Sequence, residues 1–187
     1  MNIRLASPLE QDSVSNGEGI RTVIWTQGCN HHCLGCHNPE THTFDKGKLI
    51  DINELKNEIS SLQGQDGITL SGGDPLMQPN ACYEIAKHAK EIGLNVWCYT
   101  GYTFEEVLKL ANKNKLYKNL LEQIDVLIDG KFVLEQMSLN LKYRGSTNQR
   151  IIDVKQSLDE NKVIEITKYD SVDTGIDLYT KPDYIFV

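Results

Sequence analysis

No apolar run in this chain approaches the roughly 20 residues needed to span a bilayer, and its N-terminus carries no basic segment followed by an apolar signal core. These absences point to a protein that stays in the cytoplasm, away from membranes. A basic excess is missing as well. The net charge is -7, whereas a phosphate backbone rewards a concentrated basic surface, so nucleic acid is not an expected partner. No glycine loop has the longer spacing and the following Lys-Ser/Thr pair of a phosphate-binding loop, and nucleotide hydrolysis gains no support. Internal repeats and low-complexity linkers are also lacking. Cysteine is scarce outside one loop: of five, only Cys82 and Cys98 stand elsewhere. An odd total crowded in this way argues against a disulfide framework and for a reducing compartment.

What is present fits one folded domain over residues 1–187, with 40% hydrophobic and 24% charged residues. Strand and helix signals alternate. Val23, Ile24 and Trp25 centre a buried strand over Arg21 to Gln27, and the spacing of Ile52, Leu55, Ile59 and Leu62 predicts a helix over Asp51 to Ser61. Gly67 to Leu70 reads as a strand, Pro79 to Glu91 as a helix, Leu94 to Tyr99 as a strand, and Thr103 to Asn112 as a helix. Asn112 to Asn119 is polar enough for a surface connection. Further strands are expected at Ile124 to Ile128, Ile151 to Val154 and Val163 to Ile166, while the last twenty or so residues, including Pro182, give weak signals. Repeated strand-loop-helix units imply a mostly parallel sheet covered by helices. They are too few for a closed eight-stranded barrel of about 250 residues, so an α/β fold with an incomplete, TIM-like barrel is expected. Loops after successive strands would then meet at one end.

The densest chemistry is Cys29-Asn30-His31-His32-Cys33-Leu34-Gly35-Cys36, a C-x3-C-x2-C spacing that starts directly after the first long strand. Three thiolates in eight residues suit zinc, copper or an iron-sulfur cluster. A Cys3His zinc loop is a rival, with His31, His32 or His37 as fourth ligand. A 4Fe-4S cluster ordinarily has one ligand per iron, so three cysteines leave one iron free for a small molecule. Cys82 and Cys98 read as core residues, and Trp25 and Trp97 as sheet packing.

Other islands lie at strand ends. Ser71-Gly72-Gly73-Asp74-Pro75 offers backbone N–H groups suited to a carboxylate, and is equally well a plain turn. Asp129 and Lys131 flank Gly130 and would position a zwitterionic or ribose-bearing ligand; a surface ion pair is the competing reading. Glu18, Arg21 and Arg144 are further charged candidates near glycines.

Taken in order, these islands resemble the radical S-adenosylmethionine enzymes, and within them the small activases of anaerobic ribonucleoside-triphosphate reductase. The resemblance is carried by Asn16-Gly17-Glu18-Gly19-Ile20-Arg21, Thr26-Gln27-Gly28, the cysteine loop with Cys36-His37-Asn38-Pro39, and Ser71-Gly72-Gly73-Asp74-Pro75-Leu76. It continues through Tyr99-Thr100-Gly101-Tyr102, Ile128-Asp129-Gly130-Lys131-Phe132 and Arg144-Gly145-Ser146-Thr147-Asn148-Gln149-Arg150. It implies a 4Fe-4S cluster on Cys29, Cys33 and Cys36, whose remaining iron takes the amino and carboxylate groups of S-adenosylmethionine. Gly72, Gly73 and Asp74 match the segment that cradles the methionine portion, with Asp74 standing where the broad superfamily has glutamate. Thr100, Asp129 and Lys131 match later contacts to the same molecule. The implied reaction is reductive cleavage to methionine and a 5'-deoxyadenosyl radical, which takes hydrogen from the α-carbon of a glycine in the reductase. A low-potential donor such as flavodoxin supplies the electron, and no side-chain nucleophile or general base is needed. Alternatives are another glycyl-radical enzyme as target, a small-molecule substrate, or a noncatalytic zinc interaction protein.

Overall fold

The computed structural model describes residues 1–170. Its order is β1 (Asn2–Leu5), β2 (Glu10–Ser13), β3 (Arg21–Thr26), β4 (Lys48–Asp51), α1 (Ile52–Ser61), β5 (Gly67–Gly72), α2 (Pro79–Glu91), β6 (Asn95–Tyr99), α3 (Phe104–Lys113), α4 (Lys115–Leu121), β7 (Val126–Asp129), β8 (Arg150–Asp153) and α5 (Val154–Glu160). The sheet runs β4-β1-β3-β5-β6-β7-β8, with β2 also on β3, and its end strands do not meet. An incomplete α/β barrel is therefore the architecture.

Only the middle of the sheet is parallel. β3, β5, β6 and β7 pair in register, bringing Trp25 beside Ser71, Leu70 beside Cys98 and Tyr99 beside Ile128. Antiparallel strands close both flanks: β1 and β2 share one edge of β3, β4 extends β1, and β8 folds back on β7. The expectation of a mostly parallel sheet thus holds for the core strands and fails at the flanks. Residues 163–166 form no strand; Glu165 makes an isolated bridge to Ile152. The expected connection over residues 112–119 is instead a break between two helices. Asn114 accepts the Leu116 amide at 3.0 Å and caps α4, which buries Leu120 and Leu121. The expectation for Pro182 and its neighbours lies outside the described residues.

The period of two along each strand divides the side chains between two cores. Ile24, Ile68, Leu70, Val96, Cys98 and Leu127 face the layer of α1 to α4. Trp97, Ile128, Ile151 and Tyr169 fill the barrel's inside, with Tyr99 and Tyr143 against them. Cys82 and Cys98 are buried in the outer core, where desolvation pushes both thiols well up, as expected of packing residues. Helix ends are set locally. Thr103 and Glu106 form a reciprocal capping box on α3, and Asp51 and Asp153 cap α1 and α5.

The interior floor holds a buried cation. Arg21 is fully buried, yet its guanidinium donates only to neutral oxygens: Thr69 Oγ1 (2.7 Å), Asn95 Oδ1 (2.7 Å) and the carbonyls of Glu18 (3.0 Å) and Ile68 (2.5 Å). It also lies 5.2 Å from the Trp97 ring centroid. Burial lowers its pKa to about 10, which still leaves it charged at neutral pH. Among the described residues, no helix is long and apolar enough to cross a membrane.

Candidate functional site

Three loops meet where the parallel strands end. After β3, Gln27 spends its side-chain amide on the carbonyls of Glu40 (3.1 Å) and Thr43 (2.7 Å), pinning the far end of the cysteine loop. Gly28 N–H donates to Thr41 O at 2.8 Å and Cys29 N–H to His42 O at 3.1 Å, so the loop leaves and returns over the same spot. Gly28 has φ +104, and a Cβ there would strike the Phe44 ring at 2.6 Å, so the conformation selects glycine. Within the loop, Cys29 Sγ accepts the His31 amide at 3.5 Å and Cys36 Sγ the Asn38 amide at 3.4 Å. Cys29 is buried, whereas Cys33 and Cys36 are half-buried. Burial pushes the Cys29 and Cys36 thiols up, and a bound cation reverses that balance.

The second loop, after β5, lies on the first. Gly73 N–H donates to Thr26 O at 2.7 Å and Asp74 N–H to Gly28 O at 2.9 Å. Nothing larger than hydrogen fits between them. A Cβ on Gly72 would sit 2.5 Å from Thr26 backbone atoms, and one on Gly73 would sit 2.4 Å from Gly28 O. The third loop follows β6, with Thr100 N–H bonded to Ile128 O at 2.9 Å.

Six of the sequence candidates, Cys29, Cys33, Cys36, Gly72, Gly73 and Thr100, line one cavity of about 420 Å³. The other three, Asp74, Asp129 and Lys131, do not line it. Asp74 is 0% exposed and stands behind the glycine turn. Its carboxylate accepts His31 Nε2 (2.6 Å), Thr100 Oγ1 (2.8 Å) and the amides of Gly101 (3.0 Å) and Leu76 (2.8 Å). Asp129 is equally engaged: it accepts the Phe104 amide at 2.7 Å and Arg150 Nη2 at 2.5 Å. Arg150 also grips Glu105, whose carboxyl is held down to about 2. Lys131 has an exposed side chain, and its carbonyl takes the Asn148 amide at 2.8 Å.

Sequence reasoning takes Trp25 as sheet packing, gives Tyr99 no place of its own on the cavity and names Arg144 as a charged candidate; all three line the cavity. Strand alternation already directs Trp25 and Tyr99 inward, so a signal existed. Arg144 is the only lysine or arginine among the lining residues. It sits on a hairpin closed by the Met137–Ser146 bridge, and its guanidinium reaches Gln149 O and Asp170. Its side chain is 9% exposed, and its Nε is the only buried side-chain nitrogen or oxygen without a hydrogen-bond partner among the described residues. An N–H left so costs about 1–3 kcal/mol.

Among the described residues, no three Cys, His, Asp or Glu side chains converge tightly enough to hold one ion. A cluster takes one thiolate per iron and needs no such convergence. His31 has its Nε2 committed to Asp74, His37 packs at 4.8 Å from Phe132, and His32 at 5.1 Å from His42.

Residues 15–152 match a family model described as a 4Fe-4S single cluster domain, which defines the class. Curated relatives narrow it. The chain is 38% identical over 151 residues to the anaerobic ribonucleoside-triphosphate reductase-activating protein of Haemophilus influenzae, covering 74% of this chain and 90% of that one. It is 36% identical to the protein of the same description from Enterobacteria phage T4, over 73% of this chain and 85% of that one. For the Escherichia coli K12 protein so described, identity is 34% over 73% and 90%. This chain belongs to the family of anaerobic ribonucleoside-triphosphate reductase-activating proteins. Among solved structures, Escherichia coli QueE superposes with a TM-score of 0.46 and 15% identity over 55% of this chain and 54% of that one, too partial a likeness to carry an argument.

Proposed function

We propose that this chain is a single-domain cytoplasmic activase that binds a 4Fe-4S cluster through Cys29, Cys33 and Cys36 and uses it with S-adenosylmethionine to install a glycyl radical on an anaerobic ribonucleoside-triphosphate reductase. The observation that carries this reading is the convergence of all three cysteines and the Gly72-Gly73 turn on one cavity. Two features support the fit of both groups. The turn presents backbone without side chains to the cavity, and Arg144 puts a cationic side chain on the cavity wall. When bound, the reduced cluster supplies the electron that splits the sulfonium and yields the radical that takes hydrogen from the partner's glycine.

The protein's own work is holding and excluding. Cys29, Cys33 and Cys36 hold the cluster and leave one iron without a cysteine. Gly72 and Gly73 give close backbone approach to the methionine portion, while Thr100 and Arg144 border it. Asp74 and Asp129 act from behind the lining, where each shapes a loop, and Lys131 stands outside the lining. Trp25 and Tyr99 form an aromatic floor that keeps water from the reacting atoms. The electron comes from a low-potential donor, for which flavodoxin is the proposed class.

One anaerobic experiment tests this. The protein is reconstituted with iron and sulfide, then mixed with S-adenosylmethionine, a low-potential reductant and a candidate reductase. Production of 5'-deoxyadenosine together with a glycyl electron-spin signal is expected. Zinc without iron, and no reductant-dependent cleavage, would overturn the proposal.

A further inference from the structure

We infer that His31 is a positioning residue whose bond to Asp74 locks the cysteine loop onto the glycine turn. The inference deepens the proposed function and rests on it for its purpose, while the joint itself is described by geometry alone. His31 lies between Cys29 and Cys33, yet its side chain points away from solvent, at 8% exposure, and ends 2.6 Å from Asp74 Oδ2. Among the described residues, the other side-chain hydrogen bonds from positions 29–36 reach only two residues along the chain, Cys29 Sγ to the His31 amide and Cys36 Sγ to the Asn38 amide.

Four groups converge on the Asp74 carboxylate. An ionised carboxylate has about four acceptor sites. Leu76 and Gly101 fill two with amide hydrogens that cannot be withdrawn. Thr100 fills a third, because its hydroxyl oxygen already accepts from the Tyr102 amide at 3.2 Å and must turn its hydrogen toward Asp74. The fourth partner is His31, whose Nε2 lies 2.6 Å from Oδ2. Three of these partners crowd onto Oδ2 and one reaches Oδ1, so the carboxylate is engaged chiefly in joining loops. It collects the loops after β3, β5 and β6 on one group.

The surroundings are cut to this ring. A Cβ on Gly101 would stand 2.5 Å from His31 Cδ2, so a larger residue would displace the imidazole. The Tyr102 ring meets it edge-on at 4.6 Å and 78°. Aspartate in place of a longer acid is thus matched to histidine in the loop. The pair fixes how far the cluster ligands stand from the cofactor's cradle.

The test uses the full chain with His31→Phe, which keeps a ring without a donor, and His31→Gln, which restores an N–H near the same point. In metal-free protein, the Phe variant should lose roughly tenfold or more hydrogen-exchange protection at the Leu76 and Gly101 amides, and the Gln variant should regain it. After reconstitution, the dissociation constant for S-adenosylmethionine should rise roughly tenfold in the Phe variant and return with Gln. If the Phe variant does not fold, Gly101→Ala should produce the same two changes by pushing the imidazole aside. A Phe or Ala variant with wild-type exchange and affinity overturns the joint. A wild-type protein that takes up no iron and binds no S-adenosylmethionine overturns the proposed function, while the exchange result still decides the joint.

Discussion

Replacing Gly73 with alanine should loosen the cavity at one defined contact. The added Cβ would lie 2.4 Å from Gly28 O, 2.8 Å from its carbonyl carbon and 2.9 Å from its nitrogen, against an ordinary contact of at least 3.4 Å. All three are backbone atoms, so no side chain can swing away. Turn and cysteine loop must part by about 1 Å, or the strain must be borne. Parting stretches Gly73 N–H to Thr26 O and Asp74 N–H to Gly28 O, at 2.7 and 2.9 Å, beyond useful length. Two backbone bonds are worth about 1–3 kcal/mol net. Bearing the overlap costs about the same, roughly 1–3 kcal/mol. Either route predicts a loss near 2 kcal/mol, offset by about 0.5 kcal/mol from the stiffer unfolded chain. A urea titration of metal-free protein measures that loss. The cofactor's affinity should fall further, because a displacement of about 1 Å in a positioning element can cost as much as about a hundredfold. Gly64→Ala is the control: at φ +71 with nothing within 4 Å, it strains the backbone without reaching the site. An alanine at 73 that leaves both the urea midpoint and the affinity unchanged, or that behaves like the control, refutes the reasoning.

Cys33→Ala should abolish normal cluster loading, read as iron and sulfide per chain; wild-type content would remove Cys33 from the ligand set. Arg144→Gln should weaken S-adenosylmethionine binding about tenfold in equilibrium dialysis by removing the cation from the cavity wall, and unchanged affinity would show that Arg144 meets no ligand. Glu105 gives a pH prediction. Arg150 hydrogen bonding lowers its folded pKa from 4.5 to about 2, so its contribution is complete above the unfolded value and disappears as pH falls through that interval. Because its side chain is 51% exposed, the contribution is no more than about 1 kcal/mol. Glu105→Gln should therefore flatten the acid limb of stability between about pH 5 and pH 2; parallel limbs for the two proteins would count against the pairing.

Much of the central scaffold was legible because its signals are local. Pro79 opens a helix whose apolar stripe is Ala81, Cys82, Ile85, Ala86 and Ala89, and α2 has the expected bounds. The strand before the cysteine loop likewise ends within a residue of its expected position. Of the flanking strands, β8 was expected, while β2 and β4 escaped notice for a physical reason. β2 leaves Glu10, Gln11 and Asp12 exposed, and β4 exposes Lys48 and Leu49, so neither shows the alternation that marks a half-buried strand. In the candidate site, spacing identified the loops but could not show what each side chain does. Asp74 is occupied by donors up to 43 residues away, and Asp129 by an arginine 21 residues on. Such engagements arise only when separate loops close on one another. Arg144 shows the converse, since a lone charge near a glycine becomes informative once its Nε is seen to lack a partner.

The buried Arg21 bears on the order of events. With its guanidinium wedged among Thr69, Asn95 and Trp97, the barrel's lower half is filled, and Trp25, Ser71 and Tyr99 line the cavity above it. Among the described residues, the cysteine and glycine loops that line the cavity stand at the strands' C-terminal ends. Such a chamber works as a stack, in which the first arrival is the last to leave. For the proposed function, the small sulfonium must be seated before a partner's loop covers it, and methionine with 5'-deoxyadenosine departs after that loop withdraws. Each activation is then a full cycle of docking and release.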